Sequence, residues 1–399
     1  MARAGGNKGM PHLFSGLIAS GLAAVVLFAG RTVAVHLEHT TVRATAPELF
    51  PVKNQGLAFQ RAAVRAPNVL PLYGTSELVT PSVPKRASLF FRSAPTGFQV
   101  SPVGGAGANL LVMLQKIGAL GSDLRGKKVV ISVSPGWFLK VKSGQKGYEA
   151  NFSPMAASKM IFGTRLNFEL KRDIASRMLE CPSTLEGRPL LRFALQRLAS
   201  GGWFDRIVFC ALWPAGKLQT ILLALQDHFA ALNYIRDQIK PAPRPDPQVL
   251  DWSKLIAKAS ETKLPGAGNV KTASSFDAKV VSGSRDAAFR SNMNASPGWK
   301  DMELLLRTLA RVHARALILS MPIAGNFYDH AGISRPARED YYMKLRALVQ
   351  RYHFPLVEFK GHDEDPAFLI RHESHLTAKG WMYYNRALDD FFHGRMPRG

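Results

Sequence analysis

Apolar positions recur along this chain with two spacings, which predict strands and helices in alternation. Short apolar runs, rich in β-branched residues, predict buried strands over residues 69–73, 98–103, 128–134, 316–321 and 355–359. Apolar positions at helical spacing predict helices over residues 108–120, 299–313, 338–352 and 379–392. Strands that alternate with helices form a parallel sheet covered on both faces, so the pattern predicts an α/β fold. In such a sheet the ligand site lies at the carboxyl ends of the strands.

The N-terminal segment has the pattern of a membrane anchor. Residues 13–30 contain no charged residue, and this length is just sufficient to cross a bilayer core of roughly 30 Å as a helix. A cleaved signal peptide would have a shorter apolar region with a small-residue site directly after it, whereas residues 44–46 lie well beyond the run. We therefore expect a cytoplasmic N-terminus over residues 1–12 and an uncleaved transmembrane helix over 13–35. The protein would cross the cell membrane once. The flanking Lys and Arg counts are nearly balanced and only lean toward a cytoplasmic N-terminus, which would put the domain outside the cytoplasm.

The rest of the chain is a single α/β unit with two excursions. An apolar run over residues 207–212 is too short to span a membrane, and Lys217 follows it. Such a run is either buried or in contact with the membrane or a membrane partner, and burial is the more common outcome. The predicted segments are a linker over 36–66 and a domain over 67–399, with a helical insertion at about 153–240 and a long loop at about 241–297.

The composition limits the classes of partner. The formal net charge is +23, which favours polyanions such as an anionic glycan, lipid headgroups or an acidic protein. The basic residues are scattered, and neither zinc-ligand spacing nor a base-stacking motif is present, so nucleic acid is not an expected partner. Cys181 and Cys210 do not form a CxxC motif, so neither a metal, a redox centre nor another cofactor is expected.

The strand over residues 69–73 leads into the run Gly74-Thr75-Ser76-Glu77. A glycine allows the chain to bend sharply after a strand, and a following helix N-terminus offers unpaired N–H donors, which suits a nucleophile. Ser76 is therefore a candidate nucleophile. Taken alone, the run favours a serine or threonine that caps the next helix.

The candidate partners of Ser76 also follow strands. Gly104 and Gly105 follow the second strand, and backbone N–H groups of such a turn can hold an oxyanion. His375 precedes the final helix, from where it can reach the first strand as a general base. A lone surface histidine is the alternative, and the presence of Ser76 at the other end of the fold argues against it.

The serine, the glycine turn and the late histidine resemble the SGNH or GDSL hydrolase fold. More narrowly, the chain resembles the DltD family of D-alanyl transfer proteins. The resemblance runs in order through the N-terminal anchor, Gly-Thr-Ser-Glu (74–77), Ser-Pro-Gly-Trp-Phe (134–138), Pro-Ile-Ala-Gly-Asn-Phe-Tyr-Asp (322–329) and His-Leu-x-x-x-Gly-Trp (375–381). Trp137 and Asn326 lie in these motifs and are the further candidates for substrate contact.

The resemblance implies a reaction and a set of partners. Proteins of this family act with a membrane-bound O-acyltransferase (DltB-like), and an acyl carrier protein is a further partner. Together they esterify teichoic acid, or here an analogous lipid-linked anionic glycan, with D-alanine. The family's serine falls on Ser76 and its histidine on His375. The position of the family's acidic residue holds His372, so the third role falls to Glu373 or, alternatively, Asp365.

Two other functions fit the same sequence. One is an extracytoplasmic esterase of the same fold, which would hydrolyse esters without an acceptor. The other is a non-catalytic adaptor that docks a membrane acyltransferase or its carrier through the basic surface and the helical insertion, for which His372 in the acid position is an argument.

Overall fold

A parallel sheet lies at the centre of the computed structural model, which describes residues 10–79, 83, 85–139, 144–239, 246–261, 280–371 and 375–397. Its strands in these ranges are β1 (Val69–Gly74), β2 (Gln99–Gly104), β3 (Lys128–Val133), β4 (Arg315–Ser320) and β5 (Leu356–Glu358). A separate antiparallel hairpin consists of β6 (Leu369–Arg371) and β7 (His375–Leu376).

The α-helices described are, in chain order, α1 (Met10–Thr40), α2 (Val42–Thr45), α3 (Pro51–Gln55), α4 (Ala58–Arg65), α5 (Ala87–Ser93), α6 (Leu110–Leu120), α7 (Gly136–Leu139), α8 (Gly144–Asn151), α9 (Pro154–Ser158), α10 (Phe168–Leu179), α11 (Pro189–Ser200), α12 (Trp203–Gln238), α13 (Trp252–Glu261), α14 (Asp286–Asn294), α15 (Gly298–Arg311), α16 (Gly325–His330), α17 (Arg335–Arg351) and α18 (Ala378–Phe392). The predicted α/β fold with a parallel sheet flanked by helices is confirmed.

The sheet has the strand order β2-β1-β3-β4-β5, with every neighbouring pair parallel. Gly74 at the end of β1 pairs with Gly104 at the end of β2, and Val133 at the end of β3 pairs with Ser320 at the end of β4. The carboxyl ends therefore form one edge. The order reverses between β1 and β3, which is the switch point where doubly wound sheets bind ligands.

Both faces of the sheet are buried, which explains why its strands read as continuous apolar runs. Residues such as Ile131 and Ile318 belong to the cluster that packs against α6, α15 and α17. Leu72 and Leu317 belong to the opposite cluster, which packs against α5 and α18. Burial of a side chain of this size contributes about 1.5–3 kcal/mol, so the two layers stabilise the edge that holds the site.

The segment that precedes β1 differs from the predicted linker. The structure has α2, α3 and α4 there, and α4 buries Phe59 and Val64. Asp227 of α12 accepts hydrogen bonds from the backbone N–H groups of Leu57 and Ala58 at the start of α4, both at 2.8 Å. These helices are short, so their apolar positions repeat too few times to identify a helix from the sequence.

The region after α9 is helical as far as Gln238, and its last helix departs from prediction. The apolar run over 207–212 is not an isolated short segment. It lies in α12, a helix of 36 residues that continues through Pro214. The expectation of burial was wrong for most of this run, because Ile207 is 55% exposed while Phe209 is buried. By length and composition, both α1 and α12 could cross a membrane. Of the predicted long loop, the described parts contain α13 and α14, and residues 262–279 lie outside the description.

Candidate active site

Ser76 lies at the switch point of the sheet, two residues after the end of β1. It begins a single 3-10 turn, Ser76–Leu78, in which the N–H of Leu78 donates to the carbonyl of Thr75 (3.1 Å). The sequence predicts a helix N-terminus at this position, but α5 begins only at Ala87. A single 3-10 turn has only a small dipole, so it offers little of the electrostatic stabilisation that a longer helix would provide at Ser76. The neighbouring side chains that fix the backbone therefore matter more.

Glu77 is the side chain that fixes the backbone next to Ser76. It is buried, and both carboxylate oxygens lie 3.0 Å from the N–H of Thr75, which donates to them. A Cβ on Gly74 would lie 2.3 Å from the same carboxylate, so glycine is required there. Burial raises the pKa of Glu77 to about 7, against the opposing effect of the Thr75 N–H and the Ser132 hydroxyl. Sequence reasoning missed this role, because a glutamate after a serine is ordinary at the start of any helix.

The cap interpretation of this run fails for Thr75. Its side chain makes no capping hydrogen bond to the 3-10 turn. The hydroxyl donates instead to the carbonyl of Gly105 (3.3 Å), in the turn after β2. The two turns that the sequence singled out are therefore joined directly.

The glycine turn is held against β1 at close range. A Cβ on Gly104 would lie 2.1 Å from the carbonyl oxygen of Gly74, so no other residue fits without moving a strand. The Asn54 side chain in α3 donates to the carbonyl of Gly104 (2.7 Å) and accepts from its N–H (3.0 Å). Asn151 in α8 donates to the carbonyl of Ala106 (3.1 Å). Asn54 was missed because it lies in the segment predicted as a linker.

His375 is brought to the same edge by the β6–β7 hairpin. β7 packs against the 3-10 turn that Ser76 begins, and Leu376 shares a buried cluster with Leu78. Thr377 fixes the exit from the hairpin, since its hydroxyl accepts from the N–H of Gly380 (3.2 Å) at the start of α18 and donates to a backbone carbonyl. The chain's first strand and its last hairpin thus bring the segments that carry Ser76 and His375 to the same edge of the sheet.

Of the candidates for the third catalytic role, Asp365 is the one that lies in the described part of the chain. His372 and Glu373 lie outside the described residues. Asp365 accepts a hydrogen bond from Lys379 (2.8 Å) and faces the imidazole of His362 (3.5 Å). Partial burial alone would raise the pKa of Asp365, but the hydrogen bond from Lys379 holds it below its usual range.

The two remaining candidates follow β3 and β4. The Trp137 ring packs against the larger core cluster, and its carbonyl accepts from the Ser296 hydroxyl (3.1 Å). Asn326 is exposed on α16. Arg338 holds α16 in place, because it donates hydrogen bonds to Asp329 of that helix and to Glu364. Contact of Trp137 and Asn326 with a substrate stays a prediction.

Metal ligands are not grouped in the described part of the chain, where no cluster of three or more His, Cys, Asp or Glu side chains has suitable geometry. Cys181 is buried and Cys210 is exposed, and neither forms a disulfide. The described groups at this edge include a hydroxyl, an imidazole, carboxylates and backbone amides.

Comparisons with known proteins identify relatives over nearly the whole chain. A family model described as DltD protein matches residues 46–393. The chain is 27% identical to Protein DltD of Bacillus subtilis (strain 168) over 390 residues, which cover 93% of this chain and 96% of the relative. It is 24% identical to Protein DltD of Staphylococcus aureus (strain NCTC 8325 / PS 47) over 84% of this chain and 83% of the relative. Protein DltD of Lacticaseibacillus rhamnosus is 22% identical over 96% of this chain and 89% of the relative. The family match includes the turn at Ser76 and the hairpin at His375.

Proposed function

Because the chain belongs to the DltD family, we propose that it is a membrane-anchored, extracytoplasmic D-alanyl transferase. Its product would be an ester between D-alanine and a hydroxyl of teichoic acid or an analogous anionic glycan. The observation that supports this proposal most is the packing of the His375 hairpin against the turn of Ser76, at the switch point of the sheet.

The proposed chemistry is acyl transfer through a serine ester. His375 accepts the Ser76 proton as the hydroxyl oxygen bonds to the acyl carbon, and it then protonates the alcohol or thiol that leaves. Backbone N–H groups of Ser76 and Gly105 stabilise the oxyanion. A hydroxyl of the acceptor attacks the acyl-serine in turn, while His375 accepts its proton and returns one to Ser76.

The fixed geometry of the two turns supports this mechanism. The side chain of Glu77 holds the backbone at Thr75, next to the reacting serine, and the side chain of Asn54 holds the backbone of Gly104 in the neighbouring turn. Donors held in place before the reaction cost no reorganisation when charge develops, which is the main source of oxyanion stabilisation.

We assign the third role to Glu373, with Asp365 as the alternative. The carboxylate of Asp365 is already engaged by Lys379 and His362, which favours Glu373. An acid that orients the imidazole contributes up to about 10⁴-fold in rate, so Glu373→Gln should lower turnover far more than Asp365→Asn. The reverse order would assign the role to Asp365.

The proposed setting is the outer face of the cytoplasmic membrane. The apolar surface of α1 is exposed over most of its length, as a membrane anchor requires. A membrane-bound O-acyltransferase (DltB-like) and an acyl carrier protein would supply the acyl group. The net charge of +23 suits an anionic acceptor rather than nucleic acid, for which the chain has no recognition motif.

The experiment is reconstitution of the full chain with the membrane acyltransferase, acyl donor and a lipid-linked glycerophosphate polymer. Ser76→Ala and His375→Ala should reduce the ester on the polymer by about 10³-fold or more. The matched control is Ser176→Ala, a half-buried serine whose hydroxyl donates to the Arg172 carbonyl of its own helix. Ester formation at the control rate by a folded Ser76→Ala protein would contradict catalysis and leave an adaptor. Acyl release to water without polymer ester would identify an esterase.

A further inference from the structure

A large cavity lies away from the Ser76 edge, between α1, α12 and the domain. Its volume is about 1090 Å³, which is ample for a lipid headgroup and part of an acyl chain. The residues that line it come from α1, α4, α9, α12, the ends of α6 and α15, and the segments that follow α6, α9 and α15. Two helices that could each cross a membrane therefore form part of the wall of one cavity.

The charged side chains of this cavity are Lys and Arg, apart from the carboxylate of Asp123. Asp123 pairs with Arg61 (2.8 Å) and Arg65 (2.7 Å), so its charge is already balanced. In the described part of the chain, Arg31 and Lys159 have no carboxylate within ion-pair distance. They belong to different elements that converge on the cavity.

The pKa of Lys159 reflects how closely these positive charges approach one another. Burial lowers its pKa, the charges of Arg61, Lys217 and Arg31 lower it further, and the charge of Asp123 opposes them only in part. These three residues come from α4, α12 and α1, which no local sequence pattern would bring together. Like charges held this close are destabilising unless an anion compensates them.

The remaining wall of the cavity is apolar and open to the surroundings. Leu27 and Phe28 of α1 are 50% and 70% exposed, and Ile221 of α12 is 55% exposed. On α1, Arg31 stands one helical turn from Leu27, and on α12, Lys217 stands one turn from Ile221. Each helix thus presents a cation next to an exposed apolar side chain, which matches the boundary between a phosphate headgroup and an acyl chain.

We infer that this cavity binds an anionic membrane phospholipid, one whose phosphodiester charge is not balanced by a cation in the same headgroup. The headgroup phosphate is held by Arg31, Lys159 and Lys217, and an acyl chain lies along Phe28 and Ile221. The inference does not depend on the proposed acyl transfer, because none of these residues lies at the Ser76 edge. The same phosphodiester chemistry occurs in bulk bilayer lipids and in the soluble glycerophosphate part of an acceptor, so the test separates the two.

The probe is phosphatidylglycerol, with zwitterionic phosphatidylcholine, which has the same phosphodiester but no net charge, as the comparison. Each lipid is titrated into the full chain in nonionic detergent and followed by native mass spectrometry. The wild-type protein should bind phosphatidylglycerol in preference to phosphatidylcholine. The double variant Lys159→Gln, Lys217→Gln should lose about thirtyfold in affinity, as roughly 1 kcal/mol per lysine implies. Lys254→Gln, Lys300→Gln makes the same charge change at exposed sites and should bind as the wild type does.

Two further arms keep the result decisive. Lys159→Arg, Lys217→Arg keeps the charge and should keep the affinity, which excludes misfolding as the cause of any loss. A phosphatidylglycerol with a photoreactive acyl chain should crosslink to peptides that contain Phe28 or Ile221, with or without Ser76→Ala. Equal binding of the two lipids, or equal affinity of the Gln double variant and the wild type, would overturn the inference. Displacement by soluble glycerophosphate at equal concentration would overturn the lipid as the ligand.

Discussion

Glu77→Gln should change how the stability of the protein depends on pH. The carboxylate of Glu77 is buried and accepts the N–H of Thr75, and burial raises its pKa from 4.5 to about 7. Between these pH values the folded chain keeps a proton that the unfolded chain has released. Stability from this group is therefore fully present below pH 4.5 and is lost as pH rises to about 7.

The magnitude follows from the difference between the two pKa values. The free energy of unfolding should fall by roughly 3 kcal/mol as the pH rises from below 4.5 to above 7. For a chain of this length, that loss corresponds to about 4 °C in Tm. Glutamine resembles the protonated acid and does not titrate. The Tm of Glu77→Gln minus that of the wild type should therefore become more positive by about 3 °C between pH 5 and pH 8, because part of the loss has already occurred below pH 5.

The assay is thermal unfolding of the full chain in detergent, followed by tryptophan fluorescence at pH 5, 6, 7 and 8. Differences between proteins at one pH cancel the titration of groups they share, such as Asp363. The control is Glu186→Gln, the same substitution at an exposed site, whose difference from the wild type should not change with pH. A constant difference for Glu77→Gln across this range, or one that falls with pH, would refute the assignment of a buried, near-neutral carboxyl next to Ser76.

Two further substitutions test the glycine turn. Asn54→Ala removes both hydrogen bonds to Gly104 and should cost about 1–3 kcal/mol of stability, measured by urea unfolding, whereas Asn54→Asp, which keeps one acceptor, should cost less. A cost that is equal for the two variants would contradict the role of the paired amide. Gly104→Ala should destabilise the fold by about 1–3 kcal/mol or more, because its Cβ would lie 2.1 Å from the Gly74 carbonyl. Gly361→Ala, with open space around the new Cβ, is the control and should be nearly neutral; similar losses at both positions would refute the steric argument.

The strands and the long helices could be predicted because their periodic patterns extend over many residues. The predicted strand over 128–134 is β3 (Lys128–Val133), and the predicted helix over 379–392 is α18 (Ala378–Phe392). Strand alternation with helices then fixes the edge at which Ser76 and His375 meet. This step needs only topology, which is why the packing of the His375 hairpin against the Ser76 turn could be expected without the details of side-chain contacts.

The parts that could not be predicted depend on contacts between distant segments. Asn54 acts on a glycine 50 positions later, and nothing in its own neighbourhood indicates this. Glu77 is buried by the sheet and the hairpin rather than by its own run. Pro214 would normally end a helix, yet α12 continues through it. The short apolar run is therefore part of a helix of 36 residues.

The most direct measurement is mass spectrometry of the Ser76 peptide after the full chain is incubated with acyl donor and the membrane acyltransferase, then quenched in acid. The account predicts an acyl ester on Ser76 in the wild type and none at this peptide in Ser76→Ala. In His375→Ala the ester should form at least about 10³-fold more slowly. An unmodified Ser76 under conditions where acylated polymer accumulates at the full rate would contradict the account.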